Sequence, residues 1–122
     1  MPSDTATNRA PISIGPDSTG RDTTRYDLVV LGGGAGGLVA AREGRRRGAH
    51  VAIVQDGPVG GDCTFTGCVP SKALLAAAAS GADFDTAMAR VHRAVERIAA
   101  TEDATTLARE GIDVIEGFGR FT

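Results

Sequence analysis

Residues 32–37 read GGGAGG, and this glycine run constrains the fold of the chain more than any other feature. The preceding residues 26–31 form an apolar, largely β-branched run of strand length, which predicts a strand buried on both faces. Residues 38–47 predict a helix that ends at Gly48, and residues 51–54 predict a second buried strand. The order strand, glycine turn, helix and strand predicts a βαβ unit with parallel strands and a right-handed crossover.

Three of these glycines fit the spacing G-x-G-x-x-G at the turn between strand and helix. In such a turn Gly32 permits the tight bend, Gly34 lets the backbone approach a pyrophosphate, and Gly37 lets the helix sit close to the strand. The N-terminus of the helix adds unpaired N–H groups and a partial positive charge. The pattern therefore predicts dinucleotide binding, with a purely structural glycine turn as the alternative.

The residue at the end of the second predicted strand departs from the usual dinucleotide pattern. An acidic side chain is expected there to bind the ribose hydroxyls, but the chain has Gln55, followed by Asp56. Gln55 can still accept one hydrogen bond and donate another, at a cost of about 1 kcal/mol relative to a charge-assisted bond. Alternatively, the chain twists after the strand and Asp56 takes over the position.

Composition limits the remaining possibilities. Residues 1–24 are polar and lack apolar periodicity, which predicts a disordered leader before one small domain at residues 25–122. The net charge of −2 argues against a nucleic-acid partner. No segment has the length and apolar character of a membrane span, and the first residues lack the features of a secretory signal. We therefore expect a cytoplasmic protein, in which a stable disulfide is unusual.

The second half of the chain predicts further helices and one strand. We expect a helix over residues 71–79 with Pro70 at its first position, and a second over 84–100 capped by Asp83. Helical spacing predicts a buried stripe on the second of these helices, with His92 on its exposed side. The members of that stripe are Phe84, Met88, Val91, Val95 and Ile98. Residues 103–110 predict a short helix, and residues 112–115 another strand.

The only two cysteines, Cys63 and Cys68, and the only lysine, Lys72, all lie in one short stretch. A zinc site would need four ligands, and the two histidines are not at ligand spacing. A structural disulfide over so short a loop would add only about 2 kcal/mol. We favour a dithiol that cycles between reduced and oxidised forms, in which one thiolate attacks and the other resolves the mixed disulfide. A helix starting near Pro70 would favour the thiolate of Cys68.

The stretch GGDCTFTGCVPSK, placed after the GGGAGG unit, resembles the redox segment of the class I pyridine nucleotide–disulfide oxidoreductases. The resemblance runs from about residue 25 to the end of the chain. It implies a Rossmann-like α/β domain that binds FAD, with electrons passing from NAD(P)H through the flavin to the disulfide. By the same resemblance Cys63 is the thiol that meets the substrate, Cys68 lies against the flavin, and Lys72 lies beside the flavin N5 edge.

The resemblance also implies features that these residues cannot supply alone. Gly119 corresponds to a glycine near the adenine, and the substrate would be a small-molecule disulfide or a metal ion. Complete enzymes of this kind are longer homodimers, so we expect an incomplete flavin domain, inactive alone. A non-catalytic module that binds a nucleotide or a partner is the alternative. The chain departs from the pattern at Asp62, whose carboxylate should disfavour the thiolate of Cys63, and at residues 64–66, where TFT replaces leucine-asparagine-valine.

Overall fold

The computed structural model describes residues 25–121, and the leader predicted at residues 1–24 lies outside this range. The described chain contains a parallel three-stranded sheet in the order β1-β2-β3. The strands are β1 (Leu28–Leu31), β2 (Val51–Gln55) and β3 (Ile112–Glu116). Strand β2 pairs in parallel with β1 and with β3. This pairing confirms the predicted parallel βαβ arrangement and the α/β class.

Five helices lie in the described part of the chain. They are α1 (Ala35–Arg46), α2 (Gly61–Phe65), α3 (Cys68–Ala79), α4 (Phe84–Ala99) and α5 (Ala104–Arg109). Within residues 25–121, none of these helices combines the length and the apolar character needed to cross a membrane.

Two helices begin earlier than the sequence predicts. The first helix begins at Ala35, so that Gly36 and Gly37 belong to its first turn. The third begins at Cys68, which makes Pro70 its third residue and not its first. Proline is tolerated there because the N–H groups of the first helical turn have no partner within the helix. The earlier start places Cys68 at a helix N-terminus.

The hydrophobic core lies around β2 and the helices that cover it. Its buried members are Leu38, Ala41, Val51, Ile53, Val59, Leu107 and Ile112. The prediction that β2 is buried on both faces is confirmed, but the same prediction for β1 is wrong. Val29 and Leu31 of β1 are 49% and 44% exposed. The reason is position, because β1 is an edge strand in the described sheet, with only its Leu28 and Val30 face packed on the core.

The amphipathic character of α4 is confirmed with one exception. Asp83 caps the helix by accepting a hydrogen bond from the Thr86 backbone N–H at 2.8 Å, as predicted. Val91 is buried, but Phe84 is 75% exposed and does not belong to the buried stripe. The buried stripe begins about one turn later, at Ala87. The sequence pattern therefore predicts a packed face that is one turn too long.

Two glycines of α1 allow the helix to lie close to the sheet. A Cβ atom on Gly37 would overlap the carbonyl oxygen of Gly32 and come within 3.1 Å of the Val30 side chain. A Cβ atom on Gly44 would lie 2.7 Å from Leu28 Cδ2. The contact of Gly37 confirms the packing role predicted for it, and the contact of Gly44 explains a glycine that has no local reason to stand inside a helix.

Replacing Gly37 by alanine should destabilise the chain, whereas the same change at Gly36 should not. Gly37→Ala forces α1 away from the β1 turn, with an expected loss of about 1–3 kcal/mol or more in the free energy of unfolding. Nothing lies within 4 Å of the Cβ position of Gly36, so Gly36→Ala should gain up to about 1 kcal/mol from helix propensity. Urea denaturation followed by circular dichroism measures both changes. Equal stability of the two variants would contradict the packing role of Gly37.

Candidate functional site

The glycine turn connects β1 to α1 and leaves the start of α1 open. Gly32 has φ of +96°, a conformation that favours glycine, and its N–H donates to the Val54 carbonyl at 2.9 Å. Gly34 is the N-cap of α1 and provides no side-chain cap. No atom lies within 4 Å of its Cβ position. The first N–H groups of α1 are therefore accessible to an anion, as the sequence predicts for a pyrophosphate.

Gln55 supports the glycine turn from the end of β2. Its side-chain Oε1 accepts a hydrogen bond from the Gly33 backbone N–H at 2.6 Å, and its Nε2 donates to the Asp56 carbonyl at 3.0 Å. The sequence does not predict this hydrogen bond, because only the pairing of β1 with β2 brings Gln55 and Gly33 together. One lone pair on Oε1 and one N–H on Nε2 remain for a ligand.

A cavity of about 470 Å³ lies beside this turn, at the carboxyl ends of the strands. It is lined by Leu31, Gly32, Val54, Gln55, Asp56, Gly117, Phe118 and Gly119. The cavity thus brings together three of the predicted cofactor-binding residues. Gly34, Gly37 and Lys72 are not among its lining residues. Ligands of open α/β sheets bind at this end of the strands, and the volume is in the range of small-molecule sites.

Both candidates for the ribose position reach this cavity. The strand ends at Gln55, so the alternation of side chains between two faces no longer applies to Asp56. Asp56 is exposed and lines the cavity beside Gln55. The structure therefore permits both interpretations that the sequence left open. Gly119 packs tightly there, because a Cβ atom on it would lie 2.6 Å from Leu31 Cδ2.

The two cysteines lie on the consecutive helices α2 and α3, close enough for their thiols to interact. Cys63 is half-buried on α2, and Cys68 is exposed at the first position of α3. Both are free thiols in this structure. The pKa of Cys63 is raised, mainly by a hydrogen bond with the Cys68 thiol and further by burial and by the charge of Cys68, whereas a hydrogen bond from the Cys68 backbone N–H and the charge of Lys72 oppose the increase. The structure thus brings together all three residues of the predicted redox group.

The sequence predicted the direction of this pKa shift but not its cause. Asp62 was expected to disfavour the Cys63 thiolate, yet the Cys68 thiol and burial account for the increase. Asp62 is exposed, and its backbone carbonyl accepts a hydrogen bond from the Thr66 N–H at 2.9 Å. A charge on an exposed side chain is screened by water and has little effect on a neighbour.

The cysteine segment is attached directly to the glycine turn. The Gly60 N–H donates to the Gly33 carbonyl at 2.8 Å. A Cβ atom on Gly61 would lie 2.9 Å from the Gly34 Cα, so the two backbones touch. Both Gly60 and Gly61 have positive φ, at +130° and +64°. The glycine doublet before Asp62 was the only sequence signal of this contact, and it did not indicate which segment the doublet would meet.

The zinc interpretation finds no support in the described residues. Within residues 25–121 there is no group of three or more His, Cys, Asp or Glu side chains that could hold a metal ion. His50 precedes β2, at the end of the sheet opposite the glycine turn, where its ring lies against Tyr26 with the centroids 4.4 Å apart. Its Nε2 lies 3.4 Å from Asp113 Oδ2. His92 is exposed on α4, as predicted.

The fold and the site together define a nucleotide-binding α/β unit that carries a pair of neighbouring thiols. Residues 26–122 match the family described as pyridine nucleotide-disulphide oxidoreductase. The chain belongs to this family of enzymes, whose members contain FAD and depend on NAD(P)H. The resemblance predicted from the cysteine segment is confirmed.

Individual relatives share the same part of the chain. The chain is similar to dihydrolipoyl dehydrogenase of Bacillus subtilis, with 38% identity over 115 residues, covering 80% of this chain and 24% of that enzyme. It is 54% identical over 55 residues to mercuric reductase of Streptomyces lividans, covering 45% of this chain and 12% of that enzyme. The chain therefore spans a quarter or less of the length of these two relatives.

A solved structure shows the same fold. The copper(II) complex of the HOCl-induced flavoprotein disulfide reductase RclA from Escherichia coli matches with a TM-score of 0.71 and 31% sequence identity. The match covers 80% of this chain and 22% of that protein. The predicted Rossmann-like fold class is thus confirmed.

Replacing Cys68 and replacing Lys72 should change the pKa of Cys63 in opposite directions. Cys68→Ala removes the main cause of the raised value, so the pKa of Cys63 should fall toward that of an ordinary thiol. Lys72→Met removes a cation that favours the thiolate, so the pKa should rise further. Titration of the ultraviolet thiolate absorbance of the reduced chain measures both shifts. An unchanged pKa in Cys68→Ala would show that the thiols are not adjacent.

Proposed function

We propose that this chain is the FAD-binding part of an NAD(P)H-dependent oxidoreductase that reduces a small-molecule disulfide or a metal ion through Cys63 and Cys68. The observation that carries the proposal is the attachment of the thiol pair to the glycine turn, through the Gly60 to Gly33 hydrogen bond. The chain matches only 24% of the length of the dihydrolipoyl dehydrogenase. We therefore assign the activity to a longer, homodimeric polypeptide that contains these residues.

The residues of the site fit FAD. The open Gly34 position and the free start of α1 suit the pyrophosphate, since no side chain fills the space in front of them. The cavity offers Gln55 and Asp56 to the ribose and Gly119 to the adenine end. Lys72, whose charge acts on Cys63, would lie beside the flavin. Bound FAD would take electrons from NAD(P)H and deliver them to the disulfide.

The thiols of the chain account for the substrate step when the substrate is a disulfide. The Cys63 thiolate attacks one substrate sulfur, which forms a mixed disulfide and releases the first substrate thiol. The Cys68 thiolate then attacks Cys63, releases the second substrate thiol and leaves a disulfide between the two cysteines. The adjacency of the two thiols makes the second attack intramolecular and fast. The raised pKa of Cys63 lowers its thiolate fraction but increases its nucleophilicity once it is deprotonated.

The two cysteines should differ in their contact with the flavin. In the full-length, FAD-loaded protein, Cys63→Ser leaves Cys68 as a free thiolate against the flavin, and a long-wavelength charge-transfer absorbance should be present without added reductant. Cys68→Ser removes the contacting sulfur, and this absorbance should be lost even after two-electron reduction. Visible absorption spectra measure this absorbance, and each variant serves as the matched control for the other. The same absorbance in both variants would overturn the assignment of Cys68.

Binding of the cofactor is tested separately from turnover. Equilibrium dialysis of the chain with FAD and with ADP measures whether the cavity and the glycine turn hold a nucleotide. Retention of FAD together with free, unreactive thiols would favour a binding module. Retention of neither nucleotide would contradict the proposed cofactor site.

A further inference from the structure

Thr64 is the one polar residue whose side chain is fully buried within residues 25–121. It lies next to Cys63 on α2 and is 3% exposed. Its Oγ1 donates a hydrogen bond to Glu102 Oε2 at 2.8 Å. A buried hydroxyl is costly unless it has such a partner, and a bond to a carboxylate is stronger than one to a neutral acceptor. The bond joins the cysteine segment to the connection between α4 and α5, far away in sequence.

Helix α2 needs external support because it has only five residues. A single helical turn is not stable by itself, since forming it fixes several residues for one hydrogen bond. The glycine turn holds the N-terminal end of α2 through the Gly60 to Gly33 bond. The Thr64 bond holds the other half, one residue after Cys63. The orientation of Cys63 therefore depends on two contacts that lie on either side of it.

The acceptor of this bond is itself held in place. A Cβ atom on Gly60 would lie 3.0 Å from Glu102 Oε2, so the carboxylate fits closely against the backbone that precedes α2. The residue before it, Thr101, accepts a hydrogen bond through its carbonyl from Arg42 Nη2 at 2.9 Å. Arg42 also binds the Glu110 carboxylate with two bonds of 2.8 and 3.0 Å. Glu102 is thus part of a fixed support that reaches back to α1.

We propose that Thr64 is a positioning residue for Cys63: its bond to Glu102 keeps the two thiols adjacent and so stabilises the disulfide between Cys63 and Cys68. The proposal rests on the proposed redox function. A side chain that only filled space would need no hydroxyl there.

Thr64→Val keeps the shape of the side chain and removes the hydroxyl. In a glutathione buffer, the two thiols transfer two electrons and two protons to one oxidised glutathione, which becomes two reduced glutathione molecules. Looser positioning of Cys63 lowers the effective concentration of one thiol near the other. We expect the equilibrium constant for disulfide formation in the full-length protein to fall about tenfold, which corresponds to about 30 mV. Acid quenching, thiol alkylation and mass spectrometry measure the oxidised fraction.

Two hydroxyl variants serve as controls. Thr64→Ser retains a donor and should keep the equilibrium constant close to that of the unchanged protein. Thr66→Val removes an exposed hydroxyl from the same segment, one that makes only a 3.3 Å bond to the Asp62 carbonyl, and it should also have little effect. A second readout is the pKa of Cys63, which should fall in Thr64→Val because its hydrogen bond with Cys68 weakens.

The acceptor provides an independent variant if Thr64→Val does not fold. Glu102→Ala should lower the equilibrium constant in the same direction, and the double variant should lose no more than the larger single loss. An unchanged equilibrium constant in Thr64→Val or Glu102→Ala would overturn the positioning role. Failure of the unchanged protein to form the Cys63–Cys68 disulfide would instead contradict the proposed function, so the two failures are distinguishable.

Discussion

The hydrogen bond from the Gly60 N–H to the Gly33 carbonyl joins two motifs that the sequence separates by the whole of α1 and β2. It is reinforced by the contact between the backbones of Gly61 and Gly34. This contact requires glycine at position 61, because a Cβ atom there would lie 2.9 Å from the Gly34 Cα and the φ of Gly61 is +64°. The thiol pair is therefore held beside the glycine turn by the main chain itself.

The need for close packing also explains the glycines at several other positions. Seventeen glycines among 122 residues would weaken a fold that did not need them, because glycine loses the most backbone freedom on folding. Here Gly37 and Gly44 let α1 lie against the sheet, and Gly119 fits against the end of β1. The entropic cost is offset by close packing around β2, whose Val51, Ala52 and Ile53 are completely buried. The rigid core in turn fixes the turn and the cysteine segment.

Within residues 25–121, local signals in the sequence predicted the three strands and four of the five helices, but neither the short helix α2 nor the contacts between elements. The glycine spacing, the Asp83 cap and the short apolar runs act within a few residues of one another, and the structure has the strands and helices that they indicate. The exposure of Phe84 and of the outer face of β1 depends on which element packs against each of them. The periodicity of the sequence carries no information about such partners. The supports from Gln55 to Gly33 and from Thr64 to Glu102 depend on tertiary structure in the same way. The helical spacing alone was enough to predict that His92 is exposed.

In the proposed enzyme, the thiol pair lies beside the flavin because the backbone attaches the cysteine segment to the glycine turn. A crystal structure of the protein with FAD bound would test this placement. It should show the pyrophosphate against the turn at Gly32 and Gly34, and the Cys68 sulfur closer to the flavin ring than the Cys63 sulfur. A cofactor bound away from that turn, or a flavin ring separated from both sulfurs by protein, would contradict it.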